Sequence, residues 1–359
     1  MSTKDGEPGL RATAPLVRGL ALLLGLTTLA CTTTNAPAPP EHRPGVGELD
    51  RVSELQHPQL DPQHVMLQPE GLTVEQSWLL DLYTFFHARN YRAYRVVLPD
   101  EEADDAIAHL LLPPGPGPHP AIVVYPILEG SHVVSEGLAK ALVRRGFAVA
   151  RLERRELDLA EARDVETPAR VFRRSILDGR RLIDWLVSYP EIDAERIAVA
   201  GVSTGAILSL TLLEVEPRAR AGFFLMVGGN LPALLYDSSE RPVRIFRERL
   251  RTRYDLGTRE AWIEFVRPHL EPVDPLTYAH RIQPDQVLLI TGRFDRVVRP
   301  RYTRQLWETL GRPVWRRFPT GHYQFLPFFW WAAARGADHL ERYFARRALG
   351  PQAPLPDGG

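Results

Sequence analysis

The sequence is poor in the residues that disulfide networks and metal sites require. Cysteine occurs once in 359 residues, which excludes an internal disulfide and a structural zinc site of the usual Cys-rich kind. Neither sign of charge is in excess, because 44 Lys and Arg residues balance 44 Asp and Glu residues. A net charge of zero argues against a broad phosphate-binding face, so nucleic acid is not expected as a partner.

What the sequence does contain is an ordinary globular composition. The hydrophobic fraction of 44% excludes wholesale disorder. The length is sufficient for one large domain or for two of average size. No internal repeat is visible.

The N-terminal segment is typical of an export signal. Three basic residues precede an apolar run at residues 20–29, which ends at Ala30 and Cys31. The run is shorter than the ~20 residues that a transmembrane helix needs. Residues 1–30 are therefore predicted to be a signal peptide. The stretch also resembles a lipobox, which implies a bacterial lipoprotein anchored in the cell envelope through a lipid on Cys31.

Two alternatives to a lipid anchor stay open. Residues 28–30 also suit ordinary signal-peptidase cleavage, which would give a soluble periplasmic or secreted protein. The second alternative is a cytoplasmic protein with an apolar N-terminus. Metabolic labelling with a palmitate analogue distinguishes the lipid anchor from both alternatives. A lipid-anchored protein takes up the label, and the label is lost in Cys31→Ala. Residues 31–48 are rich in Pro and Thr and are predicted to form an extended tether.

Beyond the tether, strand and helix patterns alternate. Residues 49–93 are predicted to be a helical lead-in, because apolar residues recur at helical spacing within residues 74–90. Residues 94–348 then alternate short apolar runs with amphipathic segments. This pattern predicts an α/β fold with a mostly parallel, doubly wound sheet and helices on both faces. Residues 349–359 are predicted to be a disordered tail.

The pentapeptide Gly201-Val202-Ser203-Thr204-Gly205 has the pattern of a nucleophile elbow. It follows an apolar strand pattern (RIAVA) and opens a helical one (GAILSLTLL), which is the context that this motif requires. The glycines permit a sharp turn in which the backbones come close together. The Thr204 N–H would then donate to an oxyanion. The alternative is that Ser203 merely caps the helix.

A serine hydroxyl needs a base and a carboxylate before it can act as a nucleophile. Among eleven histidines, His322 follows a late predicted strand in the loop PTGHY. His132 is the one rival, and it is expected to line the pocket if it is not the base. Asp295 follows the strand QVLLIT, at the end of a parallel strand where open α/β sheets place their sites. Taken singly, Asp295 is better explained by an Asx turn and His322 by a surface loop, and only the order Ser, Asp, His along the chain favours a triad.

The motifs GVSTG, GRFDRVV and PTGHY occur in the order Ser, Asp, His, and with them the chain resembles the α/β-hydrolase superfamily over about residues 90–348. The resemblance implies Ser203 as nucleophile, His322 as general base and then acid, and Asp295 as the residue that orients the imidazole. Within that superfamily, the chain looks most like the dienelactone-hydrolase-like and prolyl-oligopeptidase-like esterases.

The sequence departs from the family pattern after the third strand. Many members have His-Gly there, whereas this chain has Tyr-Pro-Ile-Leu-Glu-Gly at residues 125–130. The second oxyanion donor is therefore expected to be the backbone N–H of Ile127 or Leu128. Dienelactone hydrolases proper use cysteine as nucleophile, and prolyl peptidases usually have a second glycine where Ala206 stands. Both departures favour a generic esterase.

A helical-looking insertion at about residues 231–281 is expected to form a lid, as insertions at this point do in the family. Its apolar residues would either offer a wall to an acyl chain or pack the lid onto the body. The Arg249–Arg253 cluster would attract an anionic group or form a solvated helix face. The aromatic segment at residues 323–331 would line the pocket or seat the last helix.

The sequence therefore predicts an exported serine hydrolase that cleaves a small carboxylic ester or thioester without metal or organic cofactor. A peptidase or an acyltransferase shares the same triad, and a non-catalytic envelope protein would share the same fold. Acyl and alcohol specificity and oligomeric state do not follow from the sequence.

Overall fold

The structure is a computed structural model that describes residues 32–34, 55, 60–70, 91–100, 104–127 and 132–349. The predicted signal peptide, Cys31, the helix expected at residues 74–90 and Leu128 lie outside the described residues. So do residues 350–359 of the predicted tail, whereas Leu349 ends the last helix.

A mixed sheet forms the centre of the fold. Its strands are β1 (Thr32–Thr34), β2 (Met66–Pro69), β3 (Arg92–Leu98), β4 (Ala106–Leu112), β5 (His119–Tyr125), β6 (Ala148–Leu152), β7 (Ile192–Val202), β8 (Ala219–Leu225), β9 (Val287–Gly292) and β10 (Val314–Phe318). Their order in the sheet is β1-β10-β9-β8-β7-β5-β6-β4-β3-β2. Strands β5 to β10 pair in parallel, and β1 to β4 add antiparallel strands at the two edges.

Helices cover both faces of this sheet. They are α1 (Val133–Val143), α2 (Glu166–Leu186), α3 (Thr204–Val215), α4 (Leu231–Asp237), α5 (Arg241–Arg253), α6 (Arg259–Leu270), α7 (Pro275–Tyr278), α8 (Pro300–Thr309) and α9 (Phe329–Leu349). Short 3₁₀ helices occur at Pro62–His64, Glu271–Val273, Ala279–Arg281, Pro284–Gln286 and Tyr323–Phe328. Helices α1 and α9 pack on one face, and α2, α3, α8 and the insertion pack on the other. The predicted doubly wound α/β sheet is confirmed.

The continuous apolar runs of the central strands are explained by this double cover. In β5, Ile122 and Val124 face the layer of α1 and α9, while Val123 and Tyr125 face the layer of α2 and α3. Successive side chains of a strand point to opposite faces, so a strand that is covered on both sides needs apolar residues at every position. Helix α3 is likewise covered on all sides, since its residues from Gly205 to Val215 are all buried and most of them are apolar.

The N-terminal part differs from the expectation. The lead-in was expected to be helical, but its described part contains β2, which pairs antiparallel with β3, and β3 itself begins at Arg92. Strand β2 is only four residues long and mostly exposed, so its backbone pairing with β3 decides its conformation rather than any apolar period. Within the described residues, no helix is both long enough and apolar enough to cross a bilayer.

The insertion between β8 and β9 forms helices α4 to α7, which we call the lid (residues 231–281). Asp274 joins its two ends. The buried carboxylate accepts hydrogen bonds from the backbone N–H groups of Asn230 (3.0 Å) and Leu231 at the start of the lid and of Leu276 (2.9 Å) near its end. This single side chain satisfies three backbone donors that face the protein interior and fixes both lid ends relative to each other.

We expect Asp274→Ala to lower the free energy of unfolding by about 3 kcal/mol, because three backbone donors lose their acceptor. Asp274→Asn should cost about 1–2 kcal/mol, because its amide oxygen can still accept two of the three bonds. Urea unfolding followed by circular dichroism measures both. Glu195→Ala is the control, since this exposed carboxylate pairs with Arg220 at the surface and is expected to change stability little.

The loss in free energy of unfolding caused by Asp274→Asn should also depend on pH. Burial raises the pKa of the Asp274 carboxyl to about 6 from an ordinary value of 3.8, and its backbone donors offset only part of that rise. A carboxyl with a raised folded-state pKa stabilises the fold most below its unfolded pKa, and this contribution is lost as the pH rises through the folded pKa. The stability advantage of wild type over Asp274→Asn should therefore be larger at pH 4 than at pH 7. A stability difference between the two proteins that stays constant from pH 4 to pH 7 would contradict the raised pKa of Asp274.

Candidate active site

Ser203 lies at a sharp turn between the carboxyl end of β7 and Thr204, the first residue of α3. Its backbone has φ 55° and ψ −122°, a conformation that costs a residue other than glycine about 1–3 kcal/mol. Backbone bonds hold the turn in place, since the Ser203 N–H donates to the Leu225 carbonyl (2.8 Å) and the Ser203 carbonyl accepts from Ala206 (2.9 Å). The strained turn brings the Ser203 hydroxyl to the edge formed by the carboxyl ends of the parallel strands.

Both glycines of the motif are required by close backbone approaches. A Cβ on Gly201 would lie 2.2 Å from the carbonyl oxygen of Gly205. A Cβ on Gly205 would lie 2.5 Å from the carbonyl oxygen of Pro126. Real Cβ atoms are essentially never found so close to other heavy atoms, so any side chain here would push the turn apart. The second approach also seats the start of α3 against the end of β5.

His322 lies in the loop after β10 and contacts both Ser203 and Asp295. Its Nε2 lies 3.1 Å from Ser203 Oγ, and its Nδ1 lies 2.7 Å from Asp295 Oδ2. Because the ionised carboxylate can only accept, Nδ1 carries the proton, and Nε2 is then free to accept the hydrogen of the serine hydroxyl. The three side chains come from loops after three different parallel strands, and the structure brings all three together.

Asp295 is held rigidly by the backbone of its own loop. Its Oδ1 accepts hydrogen bonds from the N–H groups of Val297 (2.8 Å) and Val298 (2.9 Å), so Oδ2 is left to face His322. The side chain is buried. The Asx turn that was weighed as an alternative is therefore present, and it positions the carboxylate that contacts the imidazole.

The loops that carry Asp295 and His322 run side by side. The N–H of Phe294 donates to the Thr320 carbonyl (2.9 Å). A Cβ on Gly292 would lie 2.5 Å from that same carbonyl oxygen, so the glycine permits the close approach. The helix-cap alternative for Ser203 does not apply, because its side chain makes no capping hydrogen bond.

Two of the three groups expected to hold an oxyanion are described, and both border the cavity at Ser203. Thr204 begins α3, where the first backbone N–H groups have no partner within the helix. Ile127 follows the end of β5 and lines the same cavity as Ser203 and Thr204. The other expected donor, Leu128, lies outside the described residues. His132, the rival base, immediately precedes α1 and is not among the residues that line this cavity.

A cavity of about 370 Å³ opens at Ser203. Its walls are mostly apolar and come from the sheet edge, α2, α3, the lid and the segment after His322. The polar residues in its wall are Ser203, Thr204, Ser238, Glu240, His322 and Tyr323. Of the described residues that line it, none is Lys or Arg.

The apolar lid residues divide between the two expected roles, lining the cavity and packing the lid. Leu231, Leu234, Leu235 and Phe246 line the cavity. Two aromatic pairs pack the lid itself: Trp262 is fully buried against Tyr236 (ring centroids 5.6 Å apart), and Phe265 contacts Tyr254 (ring centroids 4.6 Å apart). Ile245 has neither role and is exposed.

The segment after His322 also has both functions. Tyr323, Phe325, Leu326 and Phe329 line the cavity. Phe325, Phe328 and Trp331 pack around Phe318 and so seat α9 against the sheet.

The Arg249–Arg253 cluster makes its contacts within the protein. Arg249 and Arg253 donate to the carbonyls of Ala162 (3.0 Å) and Arg163 (3.2 Å), and Arg251 pairs with Glu248 (3.0 Å). The bonds to Ala162 and Arg163 attach α5 to the loop before α2.

Several residues that line the cavity at Ser203 are not predicted by the sequence. Ile207 lies one helical turn after Ser203, so the spacing i, i+4 on α3 could have indicated it. Leu159, Phe172 and Leu270 line the cavity as well. They stand more than 30 residues from Ser203 along the chain, and no local pattern marks them.

No protein-family model and no curated protein sequence matches the chain. Solved structures do. An acetyl xylan esterase from Paenibacillus sp. R4 is 22% identical with a TM-score of 0.62, and the match covers 83% of this chain and 96% of that one. Acetyl xylan esterase 1 from Thermoanaerobacterium sp. JW/SL YS485 is 18% identical with a TM-score of 0.59 over 83% and 95%. A 2,6-dihydroxy-pseudo-oxynicotine hydrolase is 19% identical with a TM-score of 0.51 over 68% and 67%. At these identities the likeness shows a common fold.

Proposed function

We propose that this protein, which has the α/β-hydrolase fold, is a serine hydrolase that cleaves carboxylic esters. The observation that carries the proposal is the hydrogen-bonded series from Ser203 Oγ through His322 to Asp295 Oδ2, with distances of 3.1 and 2.7 Å. A hydroxyl in contact with an oriented imidazole and a buried carboxylate is the arrangement that activates serine for acyl transfer. The esterases among the structural neighbours agree with this reaction class.

In the first half-reaction, Ser203 Oγ attacks the ester carbonyl carbon while its proton passes to His322 Nε2. The tetrahedral oxyanion is held by the backbone N–H of Thr204 and by that of Ile127 or Leu128. The carbon–oxygen bond to the alcohol then breaks, and the leaving oxygen takes the proton from His322. An acyl group remains on Ser203.

In the second half-reaction, a water molecule attacks the acyl carbonyl and gives its proton to His322. Collapse of this intermediate returns the proton to Ser203 Oγ and releases the carboxylic acid. Asp295 stays ionised throughout and stabilises the imidazolium that forms twice in each cycle.

Covalent labelling tests the proposal directly. Wild-type protein should hydrolyse p-nitrophenyl esters and should react with a fluorophosphonate probe, giving one added mass that maps to the peptide containing Ser203. Both signals depend on an activated serine, since an ordinary hydroxyl does not react with the probe at neutral pH. A folded protein that neither cleaves these esters nor takes up the probe refutes the proposal. Prior labelling should abolish ester hydrolysis.

A further inference from the structure

The two ends of the cavity at Ser203 differ in exposure. At one end the walls are apolar and buried, formed by Leu159, Phe172, Phe246 and Leu270, each no more than 6% exposed. At the other end lie Tyr323 and Leu326, which are 66% and 54% exposed. Phe246 and Leu270 belong to the lid, so the lid contributes to the buried end, and the exposed side chains of Tyr323 and Leu326 mark the open end.

The open end also contains the polar contact between the lid and the loop of His322. The Tyr323 hydroxyl donates to Glu240, which stands directly before α5, at a distance of 2.5 Å. Glu240 is the single acidic residue among the described residues that line the cavity. A group at this end would therefore meet water, a phenol and a carboxylate rather than a dry apolar wall.

The proton transfers assign the two ends to the two halves of an ester. His322 Nε2 must reach the leaving oxygen to protonate it, so the alcohol lies on the side of His322. The Tyr323 ring lies beside the His322 ring, with the ring centroids 5.3 Å apart, which places the alcohol at the open end. The acyl group points the other way, past Ile207 on α3 and toward Phe172 and Phe246.

Resting on the esterase function proposed above, we propose that the buried end is an acyl-binding pocket selective for long or bulky apolar acyl groups. The whole cavity, of about 370 Å³, has room for on the order of ten water-sized groups, since one water molecule occupies about 30 Å³. The two ends share this volume, and an acetyl group, with two carbons, would fill only a small part of it. The absence of Lys and Arg from the described lining disfavours acyl groups with a second carboxylate.

The proposal fixes the expected dependence on chain length. Each methylene that enters the buried end should raise kcat/KM about fourfold, by the transfer free energy of one buried methylene. In a series of p-nitrophenyl esters from acetate to decanoate, kcat/KM should rise with length and level off when the pocket is full. The series is measured below the concentration at which the longer esters form micelles.

Two lid variants should change, in opposite directions, the chain length at which kcat/KM levels off. Val243 lines the pocket from α5, and Val243→Phe adds four carbons to its interior. In this variant kcat/KM for octanoate should fall at least tenfold more than kcat/KM for acetate, because only the long chain needs the filled space. Phe246→Leu enlarges the pocket and should shift the plateau toward longer chains.

Ile245→Phe is the matched control. Ile245 lies between these two residues on α5, is exposed, and is not among the cavity-lining residues. Adding bulk there should leave the length profile unchanged.

The outcomes separate this proposal from the one on which it rests. If wild type hydrolyses acetate best and kcat/KM falls with length, or if neither lid variant changes the profile, the acyl-pocket assignment is wrong while the esterase function stands. If no ester is cleaved and no fluorophosphonate is taken up, the esterase function itself fails. The wild-type series decides the question even if one lid variant does not fold.

Discussion

Ser203→Ala should lower kcat for ester hydrolysis by about 10⁵- to 10⁶-fold, because removal of the nucleophile leaves only the oxyanion donors and the binding cavity to act. The affinity for substrate should change little, since the apolar walls that bind it are untouched. Alanine at position 203 also keeps the turn, as serine already occupies the same backbone conformation without a capping bond. Initial rates on p-nitrophenyl butyrate measure the loss.

Ser209→Ala is the matched control for this variant. Ser209 lies on the same helix, is fully buried and bonds its own helix backbone at the Ala206 carbonyl (3.3 Å) rather than facing the cavity. It should keep kcat within a few-fold of wild type. Loss of activity in both variants would indicate damage to α3 and not removal of a nucleophile. Activity in Ser203→Ala that remains within tenfold of wild type would rule out Ser203 as the nucleophile.

Asp295→Asn should lower kcat by about 10⁴-fold with little change in fold. The amide oxygen can keep the two bonds from Val297 and Val298, but the amide NH₂ then faces His322 Nδ1. Since that NH₂ can only donate, Nδ1 must accept, and the imidazole proton moves to Nε2. A protonated Nε2 cannot take the proton of Ser203, so the base is lost while the geometry is retained.

The same change should slow the reaction with fluorophosphonate in parallel, because both reactions need the activated hydroxyl. Thermal unfolding should stay close to that of wild type, which distinguishes lost orientation of the imidazole from a collapsed loop. Asp193→Asn provides a comparison outside the site, since that carboxylate pairs with Arg196. If Asp295→Asn retains more than a tenth of wild-type kcat, another group orients His322.

Much of the fold follows from local patterns. The apolar strands and amphipathic helices between residues 94 and 348 repeat over short segments, and each element's period is visible without its neighbours. The elbow is local too, because Gly201, Ser203 and Gly205 form one turn within five residues. The strand β2 was missed because its four residues show neither an apolar period nor a strong β preference, and it is stabilised by pairing with β3.

The partners of Ser203 follow from the direction of the strands and not from a local pattern. Asp295 and His322 stand 92 and 119 residues along the chain from Ser203, too far for any periodicity to connect them. They could be selected because each follows a predicted parallel strand, and parallel strands end at one edge of the sheet. The hydrogen-bond distances of 2.7 and 3.1 Å do not follow from strand direction and depend on the tertiary structure.

The sequence by itself determined the doubly wound sheet, the turn at Ser203 and the residues expected to act with it, because these depend on local backbone preferences and on the direction of strands. Only the tertiary structure decided which apolar lid residues line a cavity and which pack the lid, since both kinds have the same composition and helical spacing. It also decided that Asp274 joins the two lid ends and that one end of the cavity is buried and the other open. Those features depend on contacts between segments distant in the chain, and such contacts leave no period in the sequence.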